Sequence, residues 1–320
     1  MTHQHTHHQQ SHQGHILSHT HCHHGNVSEK TVRYLSFSFV INLALSVVEL
    51  IAGLMAGSVA LVGDALHNAS DAFSVFIAVF AYKIGLKKAD KRFTYGFKRA
   101  EVIGGFVNLI LLFISGLYLL VEGITKLILP QNIDGMLIIW VSVGAVLIDG
   151  VTAWLSHEES AHNGNMKMLF IHNLADMLGS IGVIISGLLI VLFGWIFTDG
   201  IIALCIAGYM IGQAVISFPN FVRILMNATP AGVDIDTIRT TLLQIPHVQD
   251  VHHIHVWCVN EHDISLECHV VSPSSTVVKT IQHVLKEQFN IAHVTIQTDT
   301  DTDCETCCFS CNGHDKEEKK

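Results

Sequence analysis

The chain has 320 residues, of which 50% are hydrophobic and only 14% are charged, and its net charge is −9 with histidine neutral. A typical soluble domain has about 25% charged residues, so this composition excludes a soluble enzyme with a conventional surface and also a disordered chain. The acidic balance argues against nucleic-acid binding, which requires a basic face. Lipid is therefore expected to be the main solvent of the chain, and its 23 histidines suggest a function that involves a transition metal.

The first 32 residues are predicted to form a disordered cytoplasmic tail. They contain ten histidines interspersed with Gln, Ser and Thr. No apolar run precedes these histidines and no small-residue cleavage site follows them, so the segment is not expected to be a signal peptide. Its composition is typical of a tail that binds metal weakly and in many arrangements.

Residues 33–222 are predicted to form a membrane domain of six transmembrane helices. Each apolar stretch reaches the ~20 residues that a helix needs to cross the hydrocarbon core. The predicted spans are approximately Tyr34–Met55, Val59–Ile84, Val102–Leu129, Met136–Leu155, Met168–Phe193 and Gly200–Val222. Turn-forming residues separate them, including Thr198-Asp199-Gly200 before the last span. Because the segment from Lys83 to Arg99 contains seven Lys and Arg residues, the positive-inside rule places both termini in the cytoplasm.

Residues 223–298 are predicted to form a small cytoplasmic α+β domain, followed by an acidic, cysteine-containing tail over 299–320. Helical and alternating apolar patterns predict the order helix, strand, strand, helix, strand. In the first strand, Ile254 and Val256 alternate with His253, His255 and Trp257. These two histidines are expected to lie on ordinary exposed strand surface.

Two predicted spans contain the same pattern of potential metal ligands. The second span contains His67-Asn-Ala-Ser-Asp71 and the fifth contains His172-Asn-Leu-Ala-Asp176. Residues four apart lie on one face of a helix, so each helix offers an imidazole beside a carboxylate. Two such helices facing each other would provide the four nitrogen and oxygen ligands of a tetrahedral zinc site. The alternative, a self-contained hydrogen bond within each pair, is disfavoured because the pattern occurs twice.

Other polar residues within the spans have different expected roles. Asp64 precedes His67 by one turn, where it would either orient the imidazole or lie in a water-filled vestibule; both interpretations stay open. Glu49, Asn108 and Asp149 are expected to line a hydrated cavity or to pair across helices, because ionisable groups within a membrane are costly and need partners.

Four segments of the sequence resemble the cation diffusion facilitator family. They are Val62–Asp71, Tyr95–Gly104, Phe170–Asp176 and Thr229–Trp257, and the resemblance extends from about Arg33 to Thr298. It implies a homodimeric antiporter of divalent metal ions and protons whose transport site consists of the four motif residues. Histidine at the first motif position resembles the zinc-selective branch, which includes bacterial zinc and cobalt-zinc-cadmium exporters. The short loop between the fourth and fifth spans and the His-rich N-terminus resemble a bacterial exporter, so a bacterial inner membrane, or a plasma membrane, is favoured over a vesicle membrane.

The resemblance also implies a metal-binding role for the cytoplasmic domain, which is similar to small metallochaperones. His252 and His269 correspond to metal ligands of the family, and Asp299 corresponds to a third. Gln297 stands where some members have histidine. The domain is expected to pair in a homodimer.

The cysteines of the C-terminal tail predict a further regulatory zinc site. Cys304 and Cys307 form a C-x-x-C pair, which supplies two thiolates in a reducing compartment. The remaining ligands would come from His21, Cys22 and His23, as in some similar vertebrate-type zinc transporters, or from the two cysteines that follow the pair. A tail of free thiols is the alternative.

Together these patterns predict an exporter of Zn²⁺, with Cd²⁺ and Co²⁺ as further candidates, rather than an enzyme. No cofactor is expected, since Zn²⁺ is the substrate and a regulatory ligand, and the expected partners are a second copy of the chain, protons and membrane lipid. An intramembrane hydrolase is disfavoured because four protein ligands leave no open position on the metal. A membrane-bound metal sensor without transport is the alternative function.

Overall fold

The computed structural model describes residues 29–85, 87, 89–160, 164–260, 263–274, 276–291 and 293–299. Within this part of the chain, six long helices precede a domain of two shorter helices and three strands. The elements are α1 (Glu29–Ala56), α2 (Val59–Gly85), α3 (Ala100–Ile128), α4 (Gly135–Ser160), α5 (Gly164–Phe193), α6 (Phe197–Leu225), α7 (Ile235–Leu243), β1 (Asp250–Cys258), β2 (Ile264–Val271), α8 (Val277–Phe289) and β3 (His293–Asp299). The predicted order of elements in the C-terminal domain is confirmed. Most of the histidine-rich tail and of the cysteine tail, including His21, Cys22, His23, Cys304 and Cys307, lies outside the described residues.

Five of the long helices in the described ranges are apolar enough to cross a membrane. Their apolar stretches are Phe39–Ala56, Ala100–Ile128, Gly135–Trp154, Asn173–Phe193 and Phe197–Leu225. The remaining helix, α2, is also long, at 27 residues, but it carries Asp64 and Asp71. The chain is thus a multi-pass membrane protein in which α2 is a more polar sixth helix.

The described structure divides into two compact units. The first takes the residues up to Ala69 together with Tyr118–Gly208, and the second takes Ser70–Leu117 together with the residues from Tyr209 onward. Helix α4 packs against both α1 and α5 in the first unit. The second unit contains the cytoplasmic domain.

In the first unit, the N-terminus of α2 is capped by a carboxylate from α6. The Ser58 hydroxyl and the backbone N–H groups of Val59 and Ala60 all donate to Asp199, which is completely buried. A helix begins with N–H groups that lack partners within the helix, and a buried carboxylate satisfies them. The sequence-based prediction of a turn at Thr198-Asp199-Gly200 is wrong, because α6 already begins at Phe197. Asp199 instead accepts hydrogen bonds from the start of α2.

In the second unit, the segment between α2 and α3 contacts the cytoplasmic domain. Lys98 Nζ lies 3.0 Å from Asp263 Oδ2, and the rings of Tyr95 and His293 meet edge to face with centroids 5.8 Å apart. These contacts come from the basic segment that the charge pattern places on the cytoplasmic side. They join the ends of α2 and α3 to the domain that follows α6.

The cytoplasmic domain is a three-stranded sheet with helices on one face. The strand order is β1-β2-β3, with β1 antiparallel and β3 parallel to the central β2. Apolar residues of α7, α8 and the sheet form one buried core that includes Ile238, Leu242, Leu266, Cys268, Val270, Ile281 and Leu285. Because side chains alternate along a strand, the neighbours of these core residues project from the opposite face of the sheet, which neither of the domain's two described helices covers.

Candidate metal sites

In the first unit, a residue of one membrane motif contacts a residue of the other motif. His67 Nε2 on α2 lies 3.4 Å from Asp176 Oδ1 on α5, and the two side chains are only 12% and 6% exposed. Imidazole nitrogen and carboxylate oxygen are both ligands that zinc accepts. The structure therefore brings a residue of one His-x-x-x-Asp motif next to a residue of the other.

A second contact fixes the direction of α2 relative to α5. The hydroxyl of Ser180 donates to Asp64 Oδ2 over 2.8 Å, and Asp64 is only 3% exposed. His67 contacts Asp176, whereas Asp64, which precedes His67 on α2, contacts Ser180, which follows Asp176 on α5. The two helices therefore run antiparallel. Asp64 is therefore held by a hydroxyl from the neighbouring helix, a partner that the sequence pattern did not indicate.

The other two motif residues are Asp71 on α2 and His172 on α5. Asp71 follows His67 by one turn on α2. His172 lies one turn before Asp176 on α5, but its side chain lies outside the described residues.

The asparagine that follows His67 has a buried partner on α1. Asn68 Nδ2 donates to Glu49 Oε2 over 3.0 Å, and Glu49 is fully buried. Asn108 on α3 makes a comparable contact, because its amide donates to the Ser74 hydroxyl. Pairing across helices is thus observed for Glu49 and Asn108. The choice of partners could not be read from the sequence, since it depends on how the helices pack.

A second group of potential ligands lies on the open face of the cytoplasmic sheet. His252 on β1 stands opposite His269 on β2, and their ring centroids are 5.4 Å apart. His269 Nδ1 lies 3.4 Å from Asp299 Oδ2 at the end of β3. The ligand atoms of these three residues all lie within 4.8 Å of one another. The structure brings together the three cytoplasmic residues that the family resemblance implies.

Neighbouring polar groups orient this cytoplasmic group. His252 Nδ1 lies 3.1 Å from Asp250 Oδ2, whereas its Nε2 is buried and has no hydrogen-bond partner among the described residues. Gln297 Nε2 donates to Asp299 Oδ1 over 3.1 Å. Gln297 therefore holds Asp299 in place, and one imidazole nitrogen of His252 is left available to bind a metal.

An irregularity in β1 adds His253 to the same face of the sheet. The pairing with β2 shifts between His252 and His255, and His253 has a positive φ of 53°. Its ring centroid lies 4.4 Å from that of His255 and 4.8 Å from that of His269. His255 is exposed as expected, but His253 is half-buried, and this burial, together with the neighbouring histidines, lowers the pKa of His253 below its ordinary value. The expectation of ordinary exposed surface thus holds only for His255.

Comparison with known protein families identifies both parts of the chain. Residues 35–226 match the transmembrane domain of cation efflux proteins, and residues 230–301 match the cytoplasmic domain of the same proteins. The chain belongs to the cation diffusion facilitator family. The family resemblance of the sequence motifs is thereby confirmed over almost the whole described structure.

Bacterial members of this family are similar to the chain over most of its length. A protein named cadmium, cobalt and zinc/H⁺-K⁺ antiporter, from Bacillus velezensis, is 30% identical over 89% of this chain and 92% of its own. The zinc transporter ZitB of Pectobacterium atrosepticum is 30% identical over 93% of this chain and 94% of its own. The metal cation efflux system protein CzcD of Cupriavidus metallidurans is 29% identical over 87% of this chain and 89% of its own.

A solved structure of the metal-bound C-terminal domain of the CzcD transporter is also similar in sequence. It is 30% identical and covers 21% of this chain and 99% of its own, with a TM-score of 0.20.

Proposed function

We propose that the chain exports Zn²⁺ from the cytoplasm in exchange for protons, with Cd²⁺ and Co²⁺ as further substrates. The observation that supports this most directly is the 3.4 Å contact between His67 Nε2 and Asp176 Oδ1. This contact joins two copies of one ligand motif in the helices of a transporter family. The names of the bacterial relatives, which include zinc, cobalt and cadmium, favour the same substrates.

The transported ion is bound by His67, Asp71, His172 and Asp176. Two neutral imidazoles and two carboxylates carry a charge of −2, which matches a divalent cation and offsets the cost of removing the ion from water. Asp64 lies one turn before His67 and accepts from the Ser180 hydroxyl, so its carboxylate adds negative charge beside the proposed site.

Protons drive export because they compete with the metal for the same atoms. An imidazole binds metal only in its neutral form, and an unperturbed imidazole titrates near pH 6.5. When the site faces the cytoplasm, neutral His67 and His172 accept Zn²⁺. When the site faces outward, protonation of these histidines weakens the binding and releases the ion, and the proton is carried inward on the return step.

Purified protein in sealed vesicles tests this proposal. An acidic interior should drive Zn²⁺ uptake, because protons leave as the metal enters, and collapsing the pH gradient should remove that drive. Asp176→Asn, which keeps the side-chain shape but loses the charge, should reduce uptake to the level of empty vesicles. Asp134→Asn is the matched control, since Asp134 is an exposed cap of α4 that accepts from Met136 N and Leu137 N, and asparagine caps helices equally well.

The possible results separate the competing functions. Uptake that does not depend on the pH gradient would contradict antiport, and full uptake by Asp176→Asn would contradict the ligand assignment. Zinc binding without any uptake would favour the membrane-bound sensor. Repeating the assay with Cd²⁺ and Co²⁺ defines the range of substrates.

The protein functions as a homodimer in a bacterial inner membrane, with both termini in the cytoplasm. The match to a family cytoplasmic domain and the bacterial relatives support this arrangement, and the basic residues between α2 and α3 support the orientation. Light scattering in detergent should give the mass of two chains. A protease applied to inside-out vesicles, but not to intact cells, should cleave both termini.

A regulatory Zn²⁺ binds to His252, His269 and Asp299 in the cytoplasmic domain. The mutual approach of these ligand atoms within 4.8 Å and the buried Nε2 of His252 without a hydrogen-bond partner among the described residues support this assignment. The site formed by Cys304, Cys307 and the His21-Cys22-His23 segment is proposed from sequence alone. Zinc should tighten the dimer, and His252→Ala should remove most of that effect.

A further inference from the structure

The open face of the cytoplasmic sheet carries more metal-binding side chains than one zinc ion uses. Two groups of three residues each have all of their ligand atoms within 4.8 Å of one another, namely His252, His269 and Asp299, and His253, His255 and Glu267. We propose that this face binds two divalent transition-metal ions side by side, and that the second ion is held by His253, His255 and Glu267.

The second group depends on a β-bulge. His252 pairs with His269 and His255 pairs with Glu267, so His253 and Ile254 together stand opposite Cys268 alone. Without an extra residue, strand alternation would place His252 and His255 on opposite faces of the sheet. The bulge returns both of them to the open face, and the left-handed backbone of His253, with φ of 53°, turns its ring toward the same face.

The three side chains of the second group fit a zinc-type ion. They provide two imidazole nitrogens and one carboxylate oxygen, which zinc accepts as three protein ligands with water as the fourth. His255 and Glu267 are directly opposite each other on hydrogen-bonded strands, and the His253 and His255 rings are nearly perpendicular, at 87°. The ligands are therefore already close together before a metal binds, which reduces the entropy lost on binding.

The two groups are adjacent, so their ions interact. The His253 ring centroid lies 4.8 Å from that of His269, which belongs to the first group. Two divalent ions repel each other at short range, but Asp250, Glu267 and Asp299 place three carboxylates around them. We therefore expect both ions to bind, and the second to bind more weakly than the first.

A matched pair of variants at His253 separates its role as a ligand from its role in the backbone. Asparagine and aspartate both tolerate a positive φ, so His253→Asn and His253→Asp should both preserve the bulge. Only aspartate offers a strong metal ligand. Full-length protein in detergent is dialysed against buffered free Zn²⁺, and the bound zinc per chain is measured.

At a free zinc concentration that saturates the wild type, His253→Asn should bind one zinc fewer per chain, while His253→Asp should bind the wild-type number. Glu267→Gln should also lose one zinc, and His252→Ala combined with His253→Asn should lose two. His283→Ala is the control, since His283 is exposed on α8, and it should lose none.

Three results would overturn the proposal. Equal zinc content in His253→Asn and the wild type would show that His253 is not a ligand. Equal losses in His253→Asn and His253→Asp would show that the residue acts only through packing. Loss of two ions from His253→Asn alone would indicate one shared cluster instead of two sites. Because binding is measured without a gradient, none of these results depends on whether the protein transports zinc.

Discussion

In the membrane helices and in the cytoplasmic sheet, histidines and carboxylates are brought together by two different kinds of backbone geometry. His67 and Asp176 lie on separate helices, so their 3.4 Å separation changes whenever α2 moves relative to α5. His252 and His269 lie on neighbouring strands joined by backbone hydrogen bonds, and their spacing is fixed by the sheet. The first arrangement suits a site that must release its ion, and the second suits a site that must retain it.

The largest expected effect is at the site built from helices. Asp71→Ala removes a charged ligand of the proposed transport site and should abolish Zn²⁺ uptake into vesicles, while the protein remains folded and dimeric in detergent. Asp236→Ala, which changes an exposed aspartate on α7, should transport normally. Persistent uptake by Asp71→Ala would mean that the site does not need the second carboxylate.

The stability of the helix-built site should depend strongly on the cap of α2. Asp199→Ala leaves the buried donors of Ser58, Val59 and Ala60 without their acceptor, which should cost about 2 kcal/mol or more. Asp134→Ala removes an exposed cap from α4 and should cost only about 1 kcal/mol. Denaturation of the purified protein in detergent compares the two, and equal losses would contradict a special role for the buried cap.

The sheet should instead be sensitive to alkaline pH. Burial raises the pKa of the Cys268 thiol from 9.0 to about 12, so between these values the unfolded chain loses a proton that the folded domain keeps. Stability should therefore fall with rising pH, by about 1.4 kcal/mol per unit above pH 9. Urea unfolding at pH 8 and pH 10 can be followed through Trp257, with the other three tryptophans replaced by Phe.

The control for this measurement is Cys268→Ala, which lacks the titrating thiol. It is expected to be less stable at pH 8, because it leaves a small cavity, but its stability should decline less between pH 8 and pH 10. The same decline in both proteins would assign the pH dependence to other groups.

The smallest expected effect is a change in selectivity. His67→Asp replaces an imidazole, a ligand type that suits Zn²⁺, by a carboxylate, which is less selective for Zn²⁺. The ratio of Zn²⁺ to Cd²⁺ transported should therefore fall by about threefold, which corresponds to ~0.6 kcal/mol. Competition between the two ions in the vesicle assay measures this ratio, with His283→Ala as the control. An unchanged ratio would mean that His67 does not determine which metal is carried.

The features that depend on a regular spacing of residues along the chain could be predicted from the sequence. The six helices follow from their apolar length, the cytoplasmic domain follows from its apolar patterns, and the approach of His67 to Asp176 was expected from the repeated motif. All three depend on a fixed spacing along one segment, and this spacing is visible in the order of the residues.

The features that could not be predicted depend on partners distant in the chain or on a break in regularity. In the sequence Asp199 looks like a turn residue, and its role as the cap of α2 follows only from the packing of α6 against α2. Glu49 likewise has its partner, Asn68, on a different helix. The bulge at His253 has no strong sequence signal, since a histidine is found where glycine or asparagine would mark a positive φ. A strictly alternating strand pattern therefore assigns the side chains on one side of this bulge to the wrong face of the sheet.

The cap of α2 has a consequence for how the protein is made. Val59 and its acceptor Asp199 are separated by 140 residues, so α2 emerges from the ribosome long before α6. At about 5–20 residues per second, Asp199 is synthesised about 7–28 seconds after the buried donors at the start of α2. During that interval α2 is held in the membrane without its final anchor, and a chain truncated before α6 should be a preferred target of membrane quality-control proteases.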